Sequence, residues 1–115
     1  HQPCPDLITK AGGNITVTED CNAAAEDADL LYTDVWVSMG MEEEAAQREQ
    51  DFSGYQINEA LVSRASEGAL IMHCLPAYRG KEIDEPTFEA HAGTIFTQAE
   101  NRLHTQKAVL DWLIN

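Results

Sequence analysis

The stretch that most constrains this chain is Ala69-Leu70-Ile71-Met72-His73-Cys74-Leu75-Pro76. Four apolar residues run directly into an imidazole and a thiol, and a proline then stops the run. A short continuous apolar run bounded this way reads as a buried strand of a parallel sheet. Open parallel sheets build their sites at the carboxyl ends of their strands. A second segment has the same design. Leu30-Leu31-Tyr32-Thr33 is an apolar strand that delivers Asp34, Ser38, Met39 and Gly40 into a loop. Two strand ends carrying different polar chemistry point to one shared pocket between them.

The remaining periodicity alternates helix and strand. Pro5 to Ala11 reads as a short helix stopped by Gly12-Gly13. Asn14 to Thr18 is rich in β-branched residues and reads as a strand. Glu19 or Asp20 can cap a helix over Cys21 to Asp27, and the strand Leu30 to Val35 follows. Met41 to Asp51 reads as a helix with Glu42, Glu43 and Glu44 in its first turn, where the helix dipole favours anions. Glu44 and Arg48 form an i,i+4 pair. Asn58 to Ala65 is a helix, Ala69 to His73 a strand, Glu85 to His91 a helix capped by Asp84, and Thr94 to Thr97 a last strand. Ala99, Leu103, Leu110 and Leu113 mark one face of a C-terminal helix. The fold expected is α/β and three-layered, a Rossmann-like, mostly parallel sheet of about four strands with helices on both faces and right-handed crossovers.

With 115 residues the chain is one domain at most, and its 43% hydrophobic content is enough for a core. No apolar run approaches the ~20 residues of a membrane span, so no membrane is expected. No basic segment followed by an apolar one marks a secretory leader. The opening His1-Gln2-Pro3-Cys4-Pro5 is loop-like and lacks an initiator Met, as expected of a piece of a longer protein. The net charge of −13, from 20 acidic and 7 basic residues, speaks first for solubility and against nucleic acid. Three cysteines without a CxxC pair point to a reducing compartment, the cytoplasm. The histidines at 1, 73, 91 and 104 have no metal-ligand spacing, so neither a metal nor another cofactor is expected.

Three motifs occur in order: Asp34-Val35-Trp36-Val37-Ser38-Met39-Gly40, His73-Cys74-Leu75-Pro76, and Gln98-Ala99-Glu100-Asn101-Arg102. Together, and with Tyr55-Gln56-Ile57-Asn58 between them, they resemble the ornithine carbamoyltransferases over essentially the whole chain. The resemblance implies a cytoplasmic enzyme, or a mitochondrial-matrix one in a eukaryote, of the arginine-biosynthesis or urea-cycle type. Its reaction would be attack of the δ-amine of ornithine on the carbonyl carbon of carbamoyl phosphate, giving citrulline and phosphate.

The roles the resemblance implies are these. Asp34 and Ser38 would meet the substrate α-ammonium. Met39 would offer its backbone N–H to the substrate carboxylate, with Gly40 permitting close approach. Cys74 and the Leu75 carbonyl would sit beside the δ-amine. His73 would donate to the carbonyl oxygen of carbamoyl phosphate, and Arg102 would contact that substrate as a charged fork. Pro76 would fix the turn, with a cis bond before it as one way of doing so. Trp36, Trp112 and Phe96 read as packing, and Cys4 and Cys21 as incidental.

The resemblance covers residues 1–115 as a partial ornithine-binding domain. The Ser-Thr-Arg-Thr motif of the family's carbamoyl-phosphate domain is absent from this sequence, as are the first strands of the ornithine domain. Asn14 to Thr18 would then lack its natural neighbours, and an unpaired strand edge invites pairing. Self-association, a rearranged sheet or a longer parent are the expected outcomes. Two functions compete at this point. One is the ornithine-binding part of an enzyme, inactive by itself; the other is a non-catalytic amino-acid-binding or assembly module.

Overall fold

The computed structural model describes residues 3–115; His1 and Gln2 of the loop-like opening lie outside the described residues. Helix α1, Pro5–Lys10, has proline in its first turn, where a missing N–H costs nothing. Helix α2, Cys21–Ala25, is capped by Asp20, whose carboxylate accepts from the N–H groups of Asn22 and Ala23 at 3.0 and 3.1 Å. Strand β1, Leu30–Thr33, follows. A 3₁₀ turn, Glu42–Glu44, leads into α3, Ala45–Asp51, and then α4, Glu59–Val62, capped by Asn58. Strand β2 is Leu70–His73. Helix α5, Glu85–Ala90, is capped by Asp84, and α6, Ala92–Ile114, ends the chain.

The α/β class and the parallel pairing hold. β1 and β2 form a parallel pair in the register Leu30↔Leu70 to Thr33↔His73. Alternation along both strands puts Leu31, Ile71 and His73 on a buried face. Leu30, Tyr32 and Leu70 on the opposite face are exposed. Leu31 and Ile71 pack with Ala25, Ile57, Ile83, Phe88 and Ile95 in one core. Each large side chain fully buried there contributes about 1.5–3 kcal/mol.

Two of the four expected strands are not strands. Asn14 to Thr18 runs without a ladder, and Ile15 and Val17 are exposed. A β-branched run has no advantage without a neighbour to pack on, and among the described residues the sheet order is β1-β2 alone. Thr94 to Thr97 is helical, part of the 23-residue α6. Its four residues carry the same apolar content as a short strand, and continuity with the Ala99-to-Leu113 helical pattern decides the outcome. Ile95 is buried from this helix, and Phe96 meets Phe88 edge-on at 5.9 Å.

The far half of α6 leaves the body of the protein. Leu103, Leu110 and Leu113 are exposed, and Trp112 is 79% exposed, so the expected packing of Trp112 does not occur within this chain. The radius of gyration, 16.1 Å, exceeds the roughly 13 Å of a compact chain this long. Among the described residues, no helix is long and apolar enough to cross a membrane.

Candidate functional site

The register Thr33↔His73 makes Asp34 and Cys74 the first residues beyond two aligned, adjacent strand ends. Adjacent strands lie ~4.8 Å apart, which brings the two side chains within reach. The Cys74 thiol beside Asp34, ahead of the Val35 N–H, holds the Asp34 carboxyl below its usual range. Burial pushes the Cys74 thiol up, and the neighbouring Asp34 carboxylate pushes it further. At neutral pH the pair is therefore a carboxylate beside a protonated thiol.

The loop after β1 is shaped by its own backbone. The Val35 N–H donates to Asp34 Oδ1 at 2.7 Å, and the Met41 N–H donates to the Ser38 carbonyl at 3.1 Å. Met39 is 96% exposed, so its side chain fills no core. Gly40 has φ +85°, which L side chains avoid, and a Cβ there would meet no protein atom within 4 Å. The backbone angle, not crowding by the protein, explains this glycine. The Gly40 N–H donates to Glu42 Oε1 at 3.0 Å and draws that carboxyl's pKa down. Beneath the loop Trp36 stacks on Phe52 at 6.3 Å, and Tyr55 meets Phe52 edge-on at 6.2 Å. Trp36 packs as its sequence context suggested.

His73 ends β2 with its side chain fully buried. Its Nδ1 accepts the Leu75 N–H at 2.8 Å, so that nitrogen carries no proton in this contact. Its Nε2 faces Glu82 Oε1 at 3.0 Å, and the same oxygen accepts the Tyr78 N–H at 2.6 Å. A neutral ring with its hydrogen on Nε2 satisfies both contacts. Both ring nitrogens are thus used internally. The expectation that His73 donates to a ligand's carbonyl oxygen finds no free N–H in this arrangement. The histidine instead holds Leu75, whose φ of +56° is costly for a branched residue. The Leu75–Pro76 bond is cis.

These elements enclose a cavity of about 410 Å³. Of the residues singled out from sequence, Asp34, Ser38, Met39, Cys74, Leu75 and Arg102 line it. His73 and Gly40 do not line it. Glu42, Glu49, Tyr78, Lys81 and Glu82 also line it and were missed. No local motif marks them. Glu82 is placed by tertiary contacts, because its carbonyl accepts the Ile57 N–H at 2.9 Å while the Asp84 N–H donates to Ile57 at 3.1 Å. Lys81 pairs with Glu49 of α3 across the cavity rim. Among the described residues, no group of three or more His, Cys, Asp or Glu side chains is arranged to hold a metal ion.

The cavity therefore presents a carboxylate at Asp34 and a guanidinium at Arg102 to a small molecule carrying charges of both signs. Comparison with known proteins narrows this. Residues 2–113 match the family model "Aspartate/ornithine carbamoyltransferase, Asp/Orn binding domain". The ornithine carbamoyltransferase of Nitratiruptor sp. is 47% identical over 98% of this chain and 39% of its own length. That of Methanoculleus marisnigri is 52% identical over 95% of this chain and 35% of its own length. Among solved structures, the anabolic ornithine carbamoyltransferase of Campylobacter jejuni superposes with a TM-score of 0.92 at 39% identity. It covers all of this chain and 40% of that one. This chain spans about two fifths of the length of the curated relatives it matches.

Proposed function

Since the chain belongs to the aspartate/ornithine carbamoyltransferase family, matching its Asp/Orn-binding domain over residues 2–113, we propose that it forms the ornithine-binding part of a transcarbamylase. The reaction passes the carbamoyl group of carbamoyl phosphate to the δ-amine of ornithine. A nitrogen–carbon bond forms at the carbonyl carbon, the carbon–oxygen bond to phosphate breaks, and the amine nitrogen gives up a proton. Citrulline and phosphate result. The role belongs to arginine biosynthesis or a urea cycle, in the cytoplasm or a mitochondrial matrix.

The single observation that carries this reading is the apposition of Asp34 and Cys74 at two aligned strand ends. Asp34, kept ionised by the thiol, pairs with the α-ammonium, and Ser38 adds a hydrogen bond. The exposed loop offers the Met39 N–H to the α-carboxylate. Cys74 and the Leu75 carbonyl receive the δ-amine. A free alkylamine has a pKa of ~10.4, so the site must favour its neutral, attacking form. A weakly polar thiol protonated at neutral pH provides no countercharge that would stabilise the ammonium. His73 acts by holding Leu75 in place, and Arg102 draws carbamoyl phosphate to the cavity. The carbamoyl-phosphate domain typical of the family supplies the remaining wall, so this chain alone is expected to make negligible citrulline.

Titration of the chain with ornithine and with putrescine, followed by amide NMR, tests the reading. Ornithine should bind saturably, shifting resonances of residues 34, 38–40 and 74. Putrescine, which lacks the carboxylate and α-ammonium, should bind at least tenfold more weakly. Equal binding of the two, or shifts elsewhere, would overturn the assignment.

A further inference from the structure

We propose that the Glu42 side chain is a resident stand-in for the carboxylate of an amino-acid ligand: its Oε1 occupies the Gly40 backbone N–H at 3.0 Å, and a ligand must displace it to engage the whole loop. Which ligand does so rests on the ornithine-site reading; the contact itself does not.

The loop leaves two donors over. The Met41 N–H donates to the Ser38 carbonyl at 3.1 Å, and Gly40 has φ +85°. That is the pattern of a type II turn with Ser38 first and glycine third. Such a turn uses the N–H of its fourth residue internally. The N–H groups of its second and third residues, Met39 and Gly40, take no part in it. Consecutive backbone N–H groups in a turn attract anions. Among the described residues, the Met39 N–H has no protein acceptor. The Gly40 N–H has one, and it is a carboxylate.

Glu42 is free to point elsewhere. It is exposed and opens the 3₁₀ turn, with water available to its carboxylate in other rotamers. Its bond to the Gly40 N–H is the first cause of a carboxyl pKa below the ordinary 4.5, so the ionised acid favours this donor. Glu42 also lines the cavity, together with Asp34, Ser38 and Met39. An α-carboxylate entering there would seek the same charge-assisted bond. The two acceptors are the same chemical group, and one N–H cannot serve both at full strength. Glu42 thus keeps the donor paired while the cavity is empty. It lowers the affinity for ligands that carry a carboxylate and leaves those without one unopposed at the loop.

The test is amide NMR on the full chain at constant ionic strength, with sodium acetate as the probe of the loop and ornithine as the probe of the site. Glu42→Ala is compared with the unchanged chain and with Glu43→Ala, which removes the same charge from the same 3₁₀ turn but lies outside the cavity lining. A donor that is free only part of the time binds more weakly by that fraction, so Glu42→Ala should tighten acetate and ornithine about three- to fivefold at Met39 and Gly40. Glu43→Ala should tighten them by less than about 1.5-fold, because an exposed charge acts there only through screened distance. Between about pH 2.5 and 7 the Gly40 resonance should follow a carboxyl titrating below 4.5, and that titration should vanish in Glu42→Ala alone. Asp34, Glu49, Lys81, Glu82 and Arg102 also line the cavity and are common to all three proteins. A Gly40 titration indifferent to Glu42, acetate affinity unchanged in Glu42→Ala, or equal tightening in both alanine variants overturns the proposal. If acetate tightens in Glu42→Ala alone while ornithine binds none of the three, the stand-in contact holds and the ornithine-site reading falls.

Discussion

One oxygen of Glu82 receives both the His73 Nε2 hydrogen, at 3.0 Å, and the Tyr78 backbone N–H, at 2.6 Å, with both side chains of the His73–Glu82 pair sealed from solvent. This carboxylate ties the end of β2 to the loop that follows it, and so fixes the peptide carrying Cys74 and Leu75. Its second oxygen has no protein partner. Glu82→Ala would strand two buried donors at about 1–3 kcal/mol each. A loss of about 2–5 kcal/mol is expected in urea-induced unfolding. Glu82→Gln keeps the acceptor oxygen and should lose less than half as much. Equal losses would show that an amide oxygen in a side chain of the same size does not replace the Glu82 carboxyl oxygen, and would overturn this reading.

The Asp34–Cys74 pair makes stability depend on pH at both ends of the range. The Asp34 pKa is lowered from its ordinary 3.8, so its contribution is present above that value and is lost as pH falls through the lower folded value. The Cys74 pKa is raised from its ordinary 9.0, so its contribution is present below pH 9.0 and is lost as pH rises through the higher folded value. Unfolding free energy followed from pH 8 to pH 11 should decline less steeply in Asp34→Asn than in the parent, because the neutral amide no longer opposes the thiolate. Parallel slopes would show that the two groups do not interact.

The pair itself was legible in the sequence because each member directly follows a strand whose apolar pattern is unambiguous. Strand ends are where a parallel sheet exposes chemistry, so Asp34 and Cys74 needed only the right register. The cap at Asp84, and that at Asp20 with Glu19 as the alternative, were equally readable, since a side chain two or three residues from its target N–H is a local matter, whereas Asn58 was placed inside the helix it caps. Glu82, Lys81 and Gln98 were not readable as site components. Their partners lie 9 to 32 residues away, and no periodicity encodes such contacts. Asn14 to Thr18 failed as a strand for the complementary reason: its residue types favour a sheet, but pairing is a property of neighbours. His73 was found by motif, but only the fold shows that both its ring nitrogens meet partners within the protein.

The two halves of α6 should respond differently to truncation. Ile95 is fully buried in the core, and Ile95→Ala should cost about 2–5 kcal/mol. Leu110 and Leu113 are more than half exposed, and either one changed to Ala should alter stability by less than about 0.5 kcal/mol, helped by the better helix propensity of alanine. Thermal or urea unfolding of the three variants checks this. A cost above 1 kcal/mol at Leu110 in dilute solution would reveal that something, such as a second copy of the chain, covers that face.

Arg102 separates the two ligands of the proposed reaction. The chain carries a net charge of −13, so a phosphorylated substrate approaches an unfavourable field and depends on local cations. Arg102 and Lys81 are the basic residues lining the cavity, and Lys81 is already paired with Glu49. Arg102→Ala should leave ornithine affinity for the chain within about twofold, since the proposed contacts to that ligand are Asp34 and the Ser38–Gly40 loop. In the protein completed with a carbamoyl-phosphate domain, the same change should lower kcat/KM for carbamoyl phosphate by more than about tenfold, or ~1.4 kcal/mol. Arg102→Lys should restore only part of it, because an ammonium cannot make the paired contacts of a guanidinium fork. A loss confined to ornithine would place Arg102 on the amino-acid side of the cavity and reverse the assignment.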